Sequence, residues 1–347
     1  WWSPLPLGGL VAALALNGLA LWLLARPADR TLALGLYALS LGCLLGAGWW
    51  ADGRPWPRLG ALTRGEWLGL GALLGLALFF RLYRLADVPF GLWFDEAFTG
   101  LRVVQIMRDP TFRPVYEAGL AQQPALWWYL LVPFVAMFGE NALALRLGAV
   151  LGGVLSVPAV FLLGRVLFGG RVGLLAGFVI AVLAWHVTFS RIAFNAIWSV
   201  TLDALAAYLF VRALRRRAWS DYLLAGLVLG LALNMYYTSR LLPVILGLYS
   251  LHRLARERLA FLRAQAPGLL LWGLMTLLTV SPLLQYAILF PREFTSRMEQ
   301  VTIFKEIEQA GSVRPLLDNL VRHLLMFHRA GDRNGRHNLP GAPHLDP

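Results

Sequence analysis

Cysteine, lysine and charge are all scarce in this chain. Cys43 is the only cysteine, which excludes an intrachain disulfide and a cysteine-built metal site. Of 31 lysines and arginines only Lys305 is a lysine, an imbalance that reads as base-composition bias with no mechanism attached. Charged residues make up 14% of the 347, against about 25% in an ordinary soluble domain. With 58% hydrophobic residues and a mean hydropathy of +0.62, a water-soluble globule, a disordered chain and a collagen-like repeat are all excluded. No repeat of fixed period and no low-complexity tract occurs. The chain opens Trp1-Trp2 with neither Met nor a basic leader, so it reads as a piece of a longer protein with no cleavable signal in view.

What is present is a series of apolar runs near membrane-spanning length. They lie at 7–25, 31–50, 66–84, 143–164, 172–190, 196–214, 222–238, 241–254 and 268–290. The expected fold is all-α, a polytopic transmembrane helical bundle with extracytoplasmic interfacial helices. The net charge of +12 would point to nucleic acid in a soluble protein. In a membrane chain it directs attention to which loops hold the arginines, and no nucleic-acid partner is expected. The clusters are Arg54, Arg58, Arg64; Arg165, Arg171; Arg212, Arg215, Arg216, Arg217; and Arg253, Arg256, Arg258, Arg263. All four share one side only if a tenth apolar run, 124–139, does not cross. That run carries Trp127, Trp128 and Tyr129 and is interrupted by Pro124 and Pro133, which suits an interfacial or re-entrant helix. The basic side being cytoplasmic, the amino terminus is cytoplasmic too. Residues 85–142, short links near 191–195 and 239–240, and the tail 291–347 are then extracytoplasmic. Gly226 and Gly230 form a GxxxG, a weak packing signal in a glycine-rich membrane chain.

Chemistry that needs wet polar groups is expected on that outer face. The first outer loop reads Asp87-Val88-Pro89-Phe90-Gly91-Leu92-Trp93-Phe94-Asp95-Glu96, followed by an expected helix over roughly 96–108. One reading of Asp95 and Glu96 is capping and dipole compensation at that helix start. The other is a general base, a metal ligand or both, tuned by the shelter of Trp93 and Phe94. The two are compatible, since a capped carboxylate is also a positioned one.

The segment Pro89 to Glu96 resembles the first extracytoplasmic loop of the GT-C integral-membrane glycosyltransferases. These include dolichyl-phosphate-mannose protein mannosyltransferases and bacterial aminoarabinose and polyprenyl-phosphate-sugar transferases. Further segments agree in order. Gln123-Pro124-Ala125-Leu126-Trp127-Trp128-Tyr129 resembles the family's interfacial helix, and Phe138-Gly139-Glu140-Asn141 to Arg146-Leu147 its next span start. Arg165 to Arg171 resembles its cytoplasmic turn, and Trp185-His186 to Ser190-Arg191 its second outer loop. The likeness covers about 66–290. It makes 66–290 the GT-C core with first outer loop 85–142, residues 1–65 an added transmembrane hairpin, and 291–347 an extracytoplasmic tail expected to continue beyond Pro347.

The resemblance implies a glycosyltransferase of the cell membrane that moves a sugar from a polyprenyl-phosphate donor to an acceptor on the extracytoplasmic face, with inversion at the anomeric carbon. Sugar and acceptor (protein, lipid or glycan) stay open. Asp95 would deprotonate the acceptor hydroxyl or hold a divalent cation, Mg or Mn, that does; Glu96 would support it. Two positions depart from the family pattern. Gln123 stands where His is frequent, and Asn195 where some members carry a second acid, which weakens the case for a metal. The donor phosphate needs cations, and Arg146, Arg191 and Arg240 lie at outer span ends, where arginine is otherwise unfavoured. Arg240 follows Asn234, Tyr236, Tyr237, Thr238 and Ser239 in one polar and aromatic cluster. Gln123, His186, Asn195, Tyr236 and Tyr237 are the expected substrate contacts. Asp203, eight residues beyond Asn195 on about the same helix face, is an intramembrane acid either functional or paired with an unseen arginine. The tail run Gly331 to Gly341 is a solvated turn or a flap over the site. The rivals are a polyprenyl-linked lipid flippase or transporter, expected to show repeated halves and midplane sites, and a non-catalytic protein that kept the fold.

Overall fold

In the computed structural model, residues 2–26, 30–53, 62–331, 334 and 340–345 are described. Arg54, Arg58 and most of the 331–341 run lie outside them. The chain is helical almost throughout: α1 Leu7–Leu24, α2 Arg30–Ala51, α3 Arg64–Leu82, α4 Phe94–Arg108, α5 Leu126–Phe138, α6 Ala142–Phe168, α7 Gly170–Val182, α8 Ala184–Ser190, α9 Ala196–Arg216, α10 Trp219–Leu233, α11 Leu242–Glu257, α12 Leu259–Leu289, α13 Pro291–Val301, α14 Ile303–Ala310 and α15 Arg314–Leu325. A 3-10 turn, Tyr237–Leu241, precedes α11. One two-residue antiparallel ribbon, β1 Tyr116–Glu117 with β2 Gln123–Pro124, interrupts the pattern.

Six described helices are long and apolar enough to cross a bilayer: α1, α2, α3, α6, α9 and α12. The expected span 172–190 is instead α7 and α8, bent by 62° at Leu183. A break inside a membrane strips carbonyls of their partners. Here the fully buried Arg81 of α3 replaces them, donating to the carbonyls of Ile180 and Ala181 at 3.0 Å each. The expected spans 222–238 and 241–254 are also shorter than a full passage. At ~1.5 Å per residue, the 15 residues of α10 and the 16 of α11 reach only about 22 and 24 Å.

Helix α9 is the bundle's centre, with 72% of its apolar window buried, against 17% for α1. Its Ile197, Leu202, Ala206 and Leu209 pack with Trp127, Trp128 and Leu131 of α5, Ala144 and Ala149 of α6, and Tyr222 and Leu229 of α10. The α1–α2 hairpin rests on α10 and α12 through Leu44, Leu223 and Met275. Lipid gives helices no hydrophobic reason to associate, so close approach of small residues must supply the contact. A Cβ on Gly226 would sit 2.5 Å from the Trp272 carbonyl oxygen of α12. Gly226→Ala is therefore expected to cost ~1–3 kcal/mol by overpacking, read as a lower thermal-unfolding midpoint in detergent. Gly247→Ala, whose Cβ would meet nothing within 4 Å inside α11, does not lower the midpoint.

Hydrogen bonds sort the helix ends into two groups. In one, Asp52 accepts from the backbone nitrogens of Trp219 and Ser220, Gln265 donates to the Leu214 carbonyl, Trp2 donates to that of Ala264, and Glu66 pairs with Arg165. The other gathers the ends of α1, α3, α8 and α12 with the starts of α4, α6 and α9, as in Gln285 donating to the Leu21 carbonyl. Both ends of α5 fall in this second group: Gln123 meets Asn195, and Asn141 caps α6. Arg165 and Arg212 mark the first group as the basic end.

Candidate active site

The site is built where the second group of helix ends converges. Helix α4 begins at Phe94, with Asp95 and Glu96 in its first turn. Glu96, not Asp95, reaches back to the helix entrance, accepting from the Trp93 backbone nitrogen at 3.0 Å. It also accepts from the Ala193 nitrogen at 2.9 Å and from Arg146 Nε at 3.2 Å. The pair is sealed, with Glu96 and Arg146 side chains 4% and 1% exposed. Arg146 spends its other donors on the loop, at the carbonyls of Leu85, Pro89 and Gly91. Arg191 does the same from the other flank, donating to the carbonyls of Phe80, Arg81, Tyr83 and Val88 at 2.7–3.1 Å. Burial and the neighbouring Arg146 charge draw the Arg191 pKa below its usual value. These two arginines, expected on the donor phosphate, bracket the loop before α4 instead and do not reach the cavity wall.

That wall encloses a cavity of about 710 Å³, within the range of small-molecule sites. Asp95, Gln123, His186, Asn195, Tyr236 and Tyr237 all line it, so six of the ten expected residues share one space. Glu96, Arg146, Arg191 and Arg240 do not. The two departures from the family pattern are bonded to each other: Asn195 Nδ2 donates to Gln123 Oε1 at 3.1 Å and to the Met235 carbonyl at 2.9 Å. The Tyr237 hydroxyl donates to the Gln122 carbonyl and lies 3.1 Å from that of Tyr116. Burial raises the Tyr236 pKa, so its phenol stays a donor despite the opposing pull of Arg297. His186 is spoken for on both nitrogens. Arg81, which can only donate, lies 2.8 Å from Nδ1, so Nε2 carries the proton and faces Ser156 Oγ at 3.1 Å.

Two wall residues extend the sequence-derived set. Asp203 faces the cavity in no ion pair among the described residues; the Ser239 hydroxyl lies beside its carboxyl, and its Oδ1 makes no hydrogen bond of normal geometry. Arg297, on α13, is the one cation lining the cavity among the described residues. Its position followed from no motif; the signal was an amphipathic helix of balanced charge directly after the last span. Arg240 sits at the rim, its guanidinium 4.5 Å from the Tyr237 ring centroid and 5.3 Å from that of Phe294. The tail reaches the same place through His344, which stacks on the wall residue Trp185 at 4.6 Å.

The donor set can be tested against a divalent cation, which takes several hard oxygens. Among the described residues no three His, Cys, Asp or Glu side chains come together. Glu96 is consumed by Arg146 and two backbone amides, leaving no carboxylate pair beside Asp95. The residues do not fit a protein-built cation site, and no step below runs through one.

Residues 122–286 match the family model described as dolichyl-phosphate-mannose-protein mannosyltransferase. The matched stretch holds every cavity residue named above except Asp95 and Arg297. Comparison with curated proteins and with solved structures gives no match. Over 122–286, a little under half of the chain, the protein is similar to the dolichyl-phosphate-mannose-protein mannosyltransferases, and the all-α bundle with its apolar helices agrees with a multi-pass membrane glycosyltransferase of the GT-C type.

Proposed function

We propose that the chain transfers a sugar from a polyprenyl phosphate to an acceptor hydroxyl in this cavity, on the extracytoplasmic face, with Asp95 as the base. The observation that carries it is Asp95 on the wall of a cavity that also holds a cation, Arg297, at the end of the bundle away from the basic loops. Asp95 takes the proton of the acceptor hydroxyl as its oxygen attacks the anomeric carbon. The bond from that carbon to the phosphate oxygen breaks, and the electron pair leaves with the polyprenyl phosphate. Attack from the face opposite the phosphate inverts the centre. The charge growing on the departing oxygen needs a positive partner, and Arg297 and the rim residue Arg240 supply it. Glu96, Arg146 and Arg191 act as positioning residues, fixing the first turn of α4 and so the place of Asp95. Basic loops at the opposite end support the outward orientation of the cavity.

The test is release of labelled polyprenyl phosphate from a sugar-bearing donor, with membranes oriented so that donor is offered to one face at a time. Turnover only from the face opposite the arginine-rich loops supports the reading. Donor crossing the membrane intact, with no release, would replace it with transport. Arg297→Gln is expected to raise the donor KM about tenfold, the loss of one charge-assisted hydrogen bond. The acceptor KM stays within twofold in the same assay.

A further inference from the structure

The polar side chains of α9 divide by what they face. Those turned to the protein are satisfied: Thr201 donates to the Gly152 carbonyl at 2.7 Å, and Trp198 to that of Gly148 at 3.1 Å. Those turned to the cavity are not. Asn195 Oδ1, Ser199 Oγ and Asp203 Oδ1 are buried and make no hydrogen bond of normal geometry among the described residues, the Ser239 hydroxyl being the one protein donor beside the Asp203 carboxyl. All three residues line the cavity, and Asn195 and Ser199 are only 1% and 4% exposed. Spaced four apart, they lie on one helix face as a ladder about 12 Å long, running from the cavity mouth into the bundle. Buried polar atoms left unmet are costly and rare in native proteins, so three on one face describe a ligand.

The chemistry of the three atoms selects that ligand. An amide oxygen and a carboxylate oxygen only accept; a serine hydroxyl accepts or donates. They call for a group rich in O–H donors. A phosphate has none to give and would be repelled by Asp203, whereas Arg297 and Arg240 attract it near the mouth. A prenyl chain would bury the three atoms without partners. A glycosyl ring meets the requirement, since its hydroxyls donate. We propose that Asn195, Ser199 and Asp203 form the sugar subsite of the cavity, accepting hydrogen bonds from the hydroxyls of the transferred glycosyl group. The proposal rests on the donor reading above and adds to it where the sugar lies and what holds it.

The experiment measures equilibrium binding to the full chain in detergent micelles. The probes are polyprenyl phosphates carrying mannose, glucose or N-acetylglucosamine, and polyprenyl phosphate without sugar. The wild type is expected to bind at least one sugar-bearing probe tenfold or more tighter than the bare lipid phosphate. Ser199→Ala, which removes one oxygen atom, and Asp203→Leu each shrink that preference to about twofold or less. Affinity for the bare lipid phosphate is unchanged, which also shows that the variants are folded. Thr201→Ala, whose hydroxyl faces the protein, keeps the preference. A preference that survives both Ser199→Ala and Asp203→Leu overturns the sugar subsite, as does a wild type that binds all probes equally; either leaves the donor reading standing. A wild type that binds none of the probes overturns both.

Discussion

An Asp95→Asn chain is expected to bind the donor as before and to lose transfer by ~10²–10⁴-fold, the range for removing a positioned general base. Asparagine has nearly the same shape as aspartate and leaves the first turn of α4 in place, because Glu96 and not Asp95 holds the Trp93 nitrogen there. What the amide lacks is the ability to take a proton. The measurement is single-turnover release of labelled polyprenyl phosphate at saturating donor, with donor Kd determined in parallel. A rate within threefold of wild type would remove Asp95 from the chemistry and leave it a wall residue. A large rise in Kd with an unchanged rate constant would make it a donor-binding group instead.

The second large effect concerns stability. Arg146→Met leaves the Glu96 carboxylate buried without its cation and strips three loop carbonyls of their donor. Breaking a buried pair from one side costs ~3–5 kcal/mol. Glu96→Gln costs less, because Arg146 keeps its three carbonyls and the single glutamine oxygen still accepts from one of the two backbone nitrogens, Trp93 or Ala193. The expected order of unfolding midpoints in detergent is wild type, Glu96→Gln, then Arg146→Met. The double variant Glu96→Leu with Arg146→Met regains part of the stability and none of the transfer, since the loop before Asp95 is no longer pinned. Equal midpoints for the two single variants would contradict the asymmetry of their hydrogen-bond inventories.

Much of this architecture was legible in the residues, and the failures have physical causes. Apolar runs of about 20 residues gave α1, α2, α3, α6 and α9 within a few residues of their ends, and the end of α12 but not its start, which lies nine residues before the expected 268. The aromatic, proline-interrupted run beside Gln123 marked α5 as a helix whose two ends meet the same side. The break at Leu183 was invisible because no Gly or Pro stands at it; what permits it is Arg81, about a hundred residues earlier. Distance along the chain also hid the fate of Glu96 and Arg146, fifty residues apart and joined only by folding. Loop arginines look alike in sequence whether they meet a ligand or their own backbone. Arg191 brackets its own backbone while Arg297, on α13, lines the cavity, and only the fold tells them apart. Asp203 showed its helix face through its spacing from Asn195, yet the missing partner of its Oδ1 is a property of the surroundings.

The bracket built by Arg191 contains a guanidinium and four peptide carbonyls, with no acid among its partners. Neither kind of group changes its protonation across the range in which proteins live. A carboxylate clamp in that position would loosen as the medium acidified, and the loop would drift with it. This one keeps its grip. Any loss of turnover at low pH should therefore not be traced to the Arg191 bracket, whereas the clamp on the other flank of the same loop, Arg146 with Glu96, does include a carboxylate.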